Sequence, residues 1–468
     1  MKIKNYVYYL VLLLNSAISL LFIIFNNHIN YFYYLFSFIL FGIVLYKNRV
    51  NLIFFIRTIF LGVIGFLVFG TKLIDIDALF GYHLRESQTL EISTLMFLLT
   101  NIALFASEIG FLVASKIKMK QENKLVLENK TFFYIVFILL LFVGYLISRT
   151  MGLIIGGSTS YGDGSSSSPA LGNLNTISNI LFFSLILLFY KFKDLYHWNI
   201  DKLKYFIIFG GFYLFIYAEF LRGVRMDALN GLFGLVILYY VYNNKPLYIN
   251  LKISIIGIVA FIFIQIMGMI RSALHFLTTD ELIIVIQNGF KSLVEGSSSG
   301  ILFYQGTIND IATTFSGIIM MLNEKVIDFY YGSSYLDYIL RTPPQFMYPD
   351  RPKDLAWIFF DNGYTSGGGF FELAEAYLNF GVIGVLIVPF VISFVFGYAY
   401  KSFYYNRYSL IHAILLFSLL ASFMRSILYQ SFALYKSAIT GFILIGIYYV
   451  LLYILKRYRK IQKKALVL

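Results

Sequence analysis

The chain reads as all-α, a polytopic transmembrane helical bundle of about twelve spans with both termini cytoplasmic and one large external loop subdomain. Two observations predict this. Of its 468 residues 59% are hydrophobic and only 13% charged, with a mean hydropathy of +0.76, which is the composition of an integral membrane protein. Cationic clusters also alternate along the chain, at Lys2/Lys4, Lys47/Arg49, 116–130, 191–204, Lys245/Lys252, Lys401/Arg407 and 456–464. Two apolar segments lie between each successive pair. Because Lys and Arg are retained on the cytoplasmic side, each cluster marks the inside.

A span needs about 20 apolar residues. The segments that qualify run over 6–25, 31–46, 51–71, 92–114, 132–150, 174–190, 205–221, 228–243, 253–270, 377–399, 408–424 and 433–455. The first follows Met1-Lys2-Ile3-Lys4 with no small-residue cleavage site after it, so it reads as a span and not as a cleaved signal. Three regions divide the chain: an N-terminal bundle over 1–270, an external subdomain over 271–373, and C-terminal helices with a basic tail over 374–468. Within the loop, 280–295 reads as an interfacial amphipathic helix. The apolar stretch 311–322 is not counted as a span, since counting it would reverse the sidedness of every later cluster. Four of the seven prolines fall between Pro343 and Pro352, which makes that stretch stiff and extended. The run Gly162-Asp163-Gly164 and its following serines is a flexible link.

The net charge of +13 is dispersed over short cytoplasmic loops, so it reads as topogenic and nucleic acid is not an expected partner. Cysteine is absent, which removes disulfides and thiol chemistry. The five histidines carry no metal-ligand spacing, and no metal or cofactor is expected. Within spans, Arg57 and Glu108 are expected to neutralise each other. Asp75-Ile76-Asp77 is a chance-level match to an acidic pattern of lipid-dependent glycosyltransferases.

Two constellations carry chemistry. Outside, or at outer span ends, stand Arg222, Arg225, Arg271, Arg341 and Arg351. Arginine is a planar, permanently charged fork that matches phosphate oxygens, and several at one interface suit a diphosphate whose lipid tail stays in the bilayer. The second is Gly367-Gly368-Gly369-Phe370-Phe371-Glu372-Leu373-Ala374-Glu375-Ala376-Tyr377-Leu378-Asn379-Phe380-Gly381. Glu372, Glu375 and Asn379 share one helical face, and a carboxylate there is placed to take the proton of a sugar hydroxyl. Electrostatic preference for a first helical turn accounts for Glu372 better than for Glu375. Tyr330, Tyr331, Tyr335, Tyr348 and Trp357 are candidate sugar platforms.

These features together resemble the Wzy family of oligosaccharide repeat-unit (O-antigen type) polymerases. The resemblance rests on many spans with one large loop before the last few, on Arg222-Gly223-Val224-Arg225, on Arg341-Thr342-Pro343-Pro344 with Pro349-Asp350-Arg351-Pro352, and on the glycine-led Glu375…Gly381 segment. It implies a glycosyltransferase of the cytoplasmic (inner) membrane whose active site faces the periplasm or outside. The substrate would be an undecaprenyl-diphosphate-linked oligosaccharide, polymerised into O-antigen or capsule by inverting, metal-independent transfer. Membrane lipid, a chain-length regulator and a flippase would be its partners. A ligase-like glycosyltransferase and a lipid-linked oligosaccharide flippase are the competing readings. The first lacks its external histidine motif here, and the second needs no hundred-residue external loop.

The topology makes a direct prediction. Tags at Gly164 and Gly332 should be reached by an impermeant reagent from outside, and tags at Lys120, His197 and Lys464 only from inside. A cytoplasmic Gly332 would put every candidate site residue in the wrong compartment.

Overall fold

A computed structural model describes residues 2–25, 29–73, 86–119, 284, 307–342, 348, 350–363, 370–406, 409–428 and 430–465. Among them there is no strand, and eleven helices follow in order: α1 (Lys2–Phe25), α2 (Tyr31–Asn48), α3 (Leu52–Leu73), α4 (Glu86–Lys116), α5 (Thr307–Asn323), α6 (Ser333–Arg341), α7 (Trp357–Asp361), α8 (Glu372–Tyr405), α9 (Leu410–Leu420), α10 (Phe423–Leu428) and α11 (Phe432–Ala465). Among the described residues seven helical stretches are long and apolar enough to cross a membrane, in α1, α2, α3, α4, α8, α9–α10 and α11. The protein is a multi-pass membrane protein. The five spans expected over 132–270, and with them the turn at Arg222, lie outside the described residues.

The helix starts follow from local sequence. Asn30 accepts the amide of Phe32 at 3.1 Å and Asn51 that of Ile53 at 3.0 Å, so each asparagine satisfies an orphan donor where an apolar run begins. The outward faces of α1, α2 and α11 carry exposed Leu, Ile, Val, Phe and Tyr, such as Leu10, Leu14, Phe32, Phe36, Ile443 and Val450. No internal core needs those side chains; lipid does.

At the centre, α4 packs against α1, α3, α5 and α8. Its closest partner is α8, and small residues permit the approach. Gly110 and Ala114 on α4 face Ser393 and Gly397 on α8, each pair four apart and so on one face. A Cβ on Gly110 would lie 2.4 Å from the Phe390 carbonyl oxygen, and one on Gly397 2.9 Å from the Ala114 Cβ. Serines bridge the seam, Ser107 to Ser393 at 2.7 Å.

The apolar helix α5 lies inside the segment expected to form a separate external subdomain. It packs against α3, α4 and α8 and buries Ile311, Phe315, Ile318 and Ile319 in the common core. Its 17 residues make it about 25 Å long, short of the roughly 30 Å of a hydrocarbon core.

The largest departure from expectation is in α8, which was read as a helix continuing straight into a span. The chain leaves helical geometry at Phe380 (φ −140°, ψ 16°) and Gly381 (φ 60°, ψ −142°). The second of these conformations is open to glycine and costly for other residues. After the turn the chain folds back on itself. A Cβ on Gly384 would lie 2.0 Å from the Ala376 carbonyl oxygen. One guanidinium, Arg57, reaches both the Glu372 carboxylate at 2.6 Å and the Pro389 carbonyl at 3.4 Å. In an unbroken helix those two residues would stand about 25 Å apart. The arm 372–379 therefore runs back alongside the limb 382–405, and Glu372 and Glu375 are carried inward from the turn.

Arg57 fastens that arm. Its Nη1 donates to Glu372 Oε2 at 2.9 Å, its Nη2 to Oε1 at 2.6 Å and its Nε to Ser393 Oγ at 2.6 Å. Both side chains are fully buried. The expected Arg57–Glu108 pairing is thereby corrected. Glu108 instead accepts from Lys47 Nζ at 2.9 Å and Tyr8 Oη at 3.0 Å, and from the Asn48 side-chain amide. The reason is the face of α3: Thr58 meets Asn48, which also binds Glu108, while its neighbour Arg57, about 100° further round the helix, meets α8.

Removing one partner of a fully buried pair strands the other charge, at a cost of about 3–5 kcal/mol. Arg57→Ala and Glu372→Ala should each lower the unfolding temperature in detergent sharply. The joint change Arg57→Met/Glu372→Leu should recover most of the loss. A joint variant as unstable as the sum of the two single ones would show the two residues to be uncoupled.

Candidate functional site

The reversal at Gly381 brings three side chains of the short arm into the interior: Glu372, Glu375 and Asn379 are all fully buried. They share a face as their spacing requires, yet each meets a different element. Glu372 has both oxygens on Arg57. Asn379 holds the start of α6: its Oδ1 accepts the Gly332 amide and the Ser334 hydroxyl, each at 3.1 Å, and its Nδ2 lies 2.8 Å from Ser334 Oγ. A neighbouring backbone bond, from the Tyr330 amide to the Leu378 carbonyl at 3.0 Å, completes the attachment.

Glu375 differs from both. Its Oε2 accepts the amide of Ser431 at 2.9 Å, at the entrance to α11, where aligned peptide dipoles favour negative charge. Its Oε1 is buried and has no hydrogen-bond partner. Around it stand the aromatic side chains of α6 and α11. Tyr338 lies 5.4 Å from Phe432 and 5.8 Å from Tyr435 between ring centroids, and Tyr335 stacks on Tyr435 at 6.3 Å and 19°. Burial raises the Tyr335 and Tyr338 hydroxyls well above the usual phenol range, and the Glu375 carboxyl pushes each further the same way. Both stay protonated at neutral pH and can donate. Tyr338 Oη is near enough to feel that carboxyl yet makes no hydrogen bond of acceptable geometry.

Arg341 borders the same region and is nearly buried. Its Nη2 pairs with Asp354 Oδ2 at 2.8 Å, its Nη1 donates to the Lys353 carbonyl at 3.2 Å, and its guanidinium carbon lies 4.8 Å from the Phe432 ring centroid. The Arg341 charge is thus paired. Gln430 Nε2 reaches the same Asp354 oxygen at 3.4 Å.

Of the other predicted residues, Arg351 is half-buried three positions before Asp354. Arg222, Arg225 and Arg271 lie outside the described residues, as do Asp75, Asp77, His275 and the flexible link. Among the proposed sugar platforms Tyr331, Tyr348 and Trp357 are exposed, Tyr330 half-buried, and Tyr335 turned into the site. Among the described residues no three His, Asp or Glu side chains converge as metal ligands would.

The sequence model of the O-antigen polysaccharide polymerase Wzy family matches residues 6–458, nearly the whole chain. The chain belongs to that family. No curated protein and no solved structure matches it. A Wzy polymerase joins repeat units by glycosyl transfer.

Sequence reasoning missed Asp354, Gln430, Ser431 and Tyr338 as members of this region of the Wzy chain. A signal for Gln430 was present: Ser418, Ser422, Ser426 and Gln430 recur every four residues through a mostly apolar stretch, a polar stripe that lipid would not tolerate.

The attachment of α6 to the short arm is testable. Asn379→Ala leaves the Gly332 amide and Ser334 hydroxyl without their partner, worth about 1–3 kcal/mol. Thermal unfolding should fall accordingly, and protease cleavage in 325–342 should quicken. An unchanged cleavage pattern would mean that α6 is held by its apolar contacts alone.

Proposed function

We propose that this Wzy-family chain polymerises undecaprenyl-diphosphate-linked repeat units on the outer face of the cytoplasmic membrane, with Glu375 as the general base. The observation that carries the assignment is the contrast between two carboxylates one turn apart. Glu372 is neutralised by a bidentate arginine, whereas Glu375 is held by one amide and keeps Oε1 uncommitted. A base needs an oxygen open to the acceptor hydroxyl, and of the two only Glu375 has one outside a hydrogen bond.

In the reaction Glu375 Oε1 takes the proton of the acceptor hydroxyl. The freed oxygen attacks the anomeric carbon of the donor's diphosphate-linked sugar from the face opposite the leaving group. The bond from that carbon to the diphosphate oxygen breaks, its electron pair stays on the diphosphate, and the configuration inverts. Arg222, Arg225, Arg271 and Arg351 supply the counter-charge for the leaving group in place of a divalent ion. Arg341 is set apart from them, since its two terminal nitrogens are engaged by Asp354 and Lys353.

The test is purified protein with a polyprenyl-diphosphate repeat unit, read as a ladder of lengths on a gel. Glu375→Gln should insert, fold and bind the lipid diphosphate, yet polymerise about 100- to 10,000-fold more slowly. Glu372→Gln should lose polymer only in proportion to the folded protein lost. Normal ladders from Glu375→Gln would remove it as the base.

A further inference from the structure

Six buried side-chain polar atoms without a hydrogen-bond partner gather around Glu375 among the described residues: Glu375 Oε1, Tyr335 Oη, Tyr338 Oη, Ser431 Oγ, Gln430 Oε1 and Arg341 Nε. Buried polar groups are ordinarily paired, since an orphan keeps its full desolvation penalty. Several at one place are not explained by packing. Direct contacts join their owners into one patch: Ser431 to Glu375, Arg341 and Gln430 to Asp354, Tyr335 to Tyr338 at 6.3 Å, and both Tyr338 and Arg341 against Phe432.

The chemistry of the six atoms selects a ligand. Asp354 accepts only, so the end of Gln430 that it holds is the NH₂, and the free end is the carbonyl oxygen. Gln430 Oε1 and Glu375 Oε1 can therefore only accept, Arg341 Nε can only donate, and three hydroxyls do either. A phosphate oxygen offers acceptors alone and would meet two further acceptors. A ring bearing adjacent hydroxyls donates and accepts at each, which matches the mixed set.

We propose that Tyr335, Tyr338, Gln430, Ser431 and the Nε of Arg341 form the seat for the acceptor sugar, a neutral polyhydroxylated ring whose reacting hydroxyl is handed to Glu375 Oε1. This rests on the reading of Glu375 as the base. It separates acceptor from donor: the diphosphate belongs elsewhere, and Arg341 serves the sugar through its Nε–H.

The probe is the free repeat-unit oligosaccharide, released by mild acid from the lipid-linked units that accumulate in cells lacking the protein. Its binding to the full chain in nanodiscs is followed by saturation-transfer NMR and calorimetry. Tyr338→Phe and Ser431→Ala each delete one orphan hydroxyl and little volume. Both should weaken oligosaccharide binding at least fivefold, leave binding of polyprenyl diphosphate unchanged, and leave the unfolding temperature equal or higher. A residue serving only structure would show the opposite, lower stability with unaltered binding. Unaltered oligosaccharide binding in the Tyr338→Phe/Ser431→Ala double variant, or no binding by the parent chain, overturns the seat. Neither result bears on Glu375→Gln and its ladder, so failure of the seat and failure of the base are read separately. Inorganic diphosphate that competes with the oligosaccharide would likewise overturn the assignment to a neutral ligand.

Discussion

The ion pair between Arg57 and Glu372 is the constraint on which the interior depends. A charge buried among apolar helices is tolerated only when matched and hydrogen-bonded, and here every nitrogen of the guanidinium has a partner: Glu372 by two bonds, Ser393 and the Pro389 carbonyl. Those contacts tie α3 to both limbs of the folded-back α8, and through Ser393 to Ser107 of α4. The close seam of Gly110, Ala114, Ser393 and Gly397 supplies the dispersion contacts, while the ion pair selects one register along it. Without the pair the seam still packs, but the start of the short arm loses its tie to α3.

That fixed arm also places its neighbour Glu375. Three residues further along the same face, its carboxylate meets the entrance of α11 instead of a cation. One turn of helix separates a carboxylate whose charge is cancelled from one whose charge is merely oriented. Neutralisation of the first by Arg57 also spares the second a like-charge neighbour at close range. The orphan polar atoms around Glu375 fit the same logic, since a site built to meet a ligand's hydroxyls leaves its own groups without protein partners.

Much of the helical layout was legible because the bilayer leaves few options. The segments near 6–25, 31–46, 51–71, 92–114, 408–424 and 433–455 coincide with described helices, since about 20 apolar residues in lipid must pair their own backbone. Asn379 and Gly381 were visible as a motif, but the fold-back was not. Apolar residues continue on both sides of Gly381, and hydropathy cannot tell a continuing helix from a reversed one. The stretch 311–322 was not counted as a span, and its helix is indeed short of spanning length; what hydropathy left unread is that its Ile311, Phe315 and Ile318 are core. The Arg57 partner was unreadable for a different reason. Charges 315 residues apart are matched by tertiary packing alone, and Glu108 was merely the acid closest in sequence among the spans. Of the site, both carboxylates came from spacing. Their division into one bound and one uncommitted oxygen required knowledge of what α3 and α11 bring.

The separation of 315 residues between Arg57 and Glu372 also has a meaning in time. At roughly 5–20 residues per second, the ribosome delivers the carboxylate about 15–60 s after the arginine. Throughout that interval α3 carries a cation that hydrocarbon does not accept. Its long side chain has to be kept by water or by lipid phosphate at the membrane surface. The third span is thus threaded early and seated late, and the polymerase becomes competent only when the last quarter of the chain arrives to claim a charge laid down near its beginning.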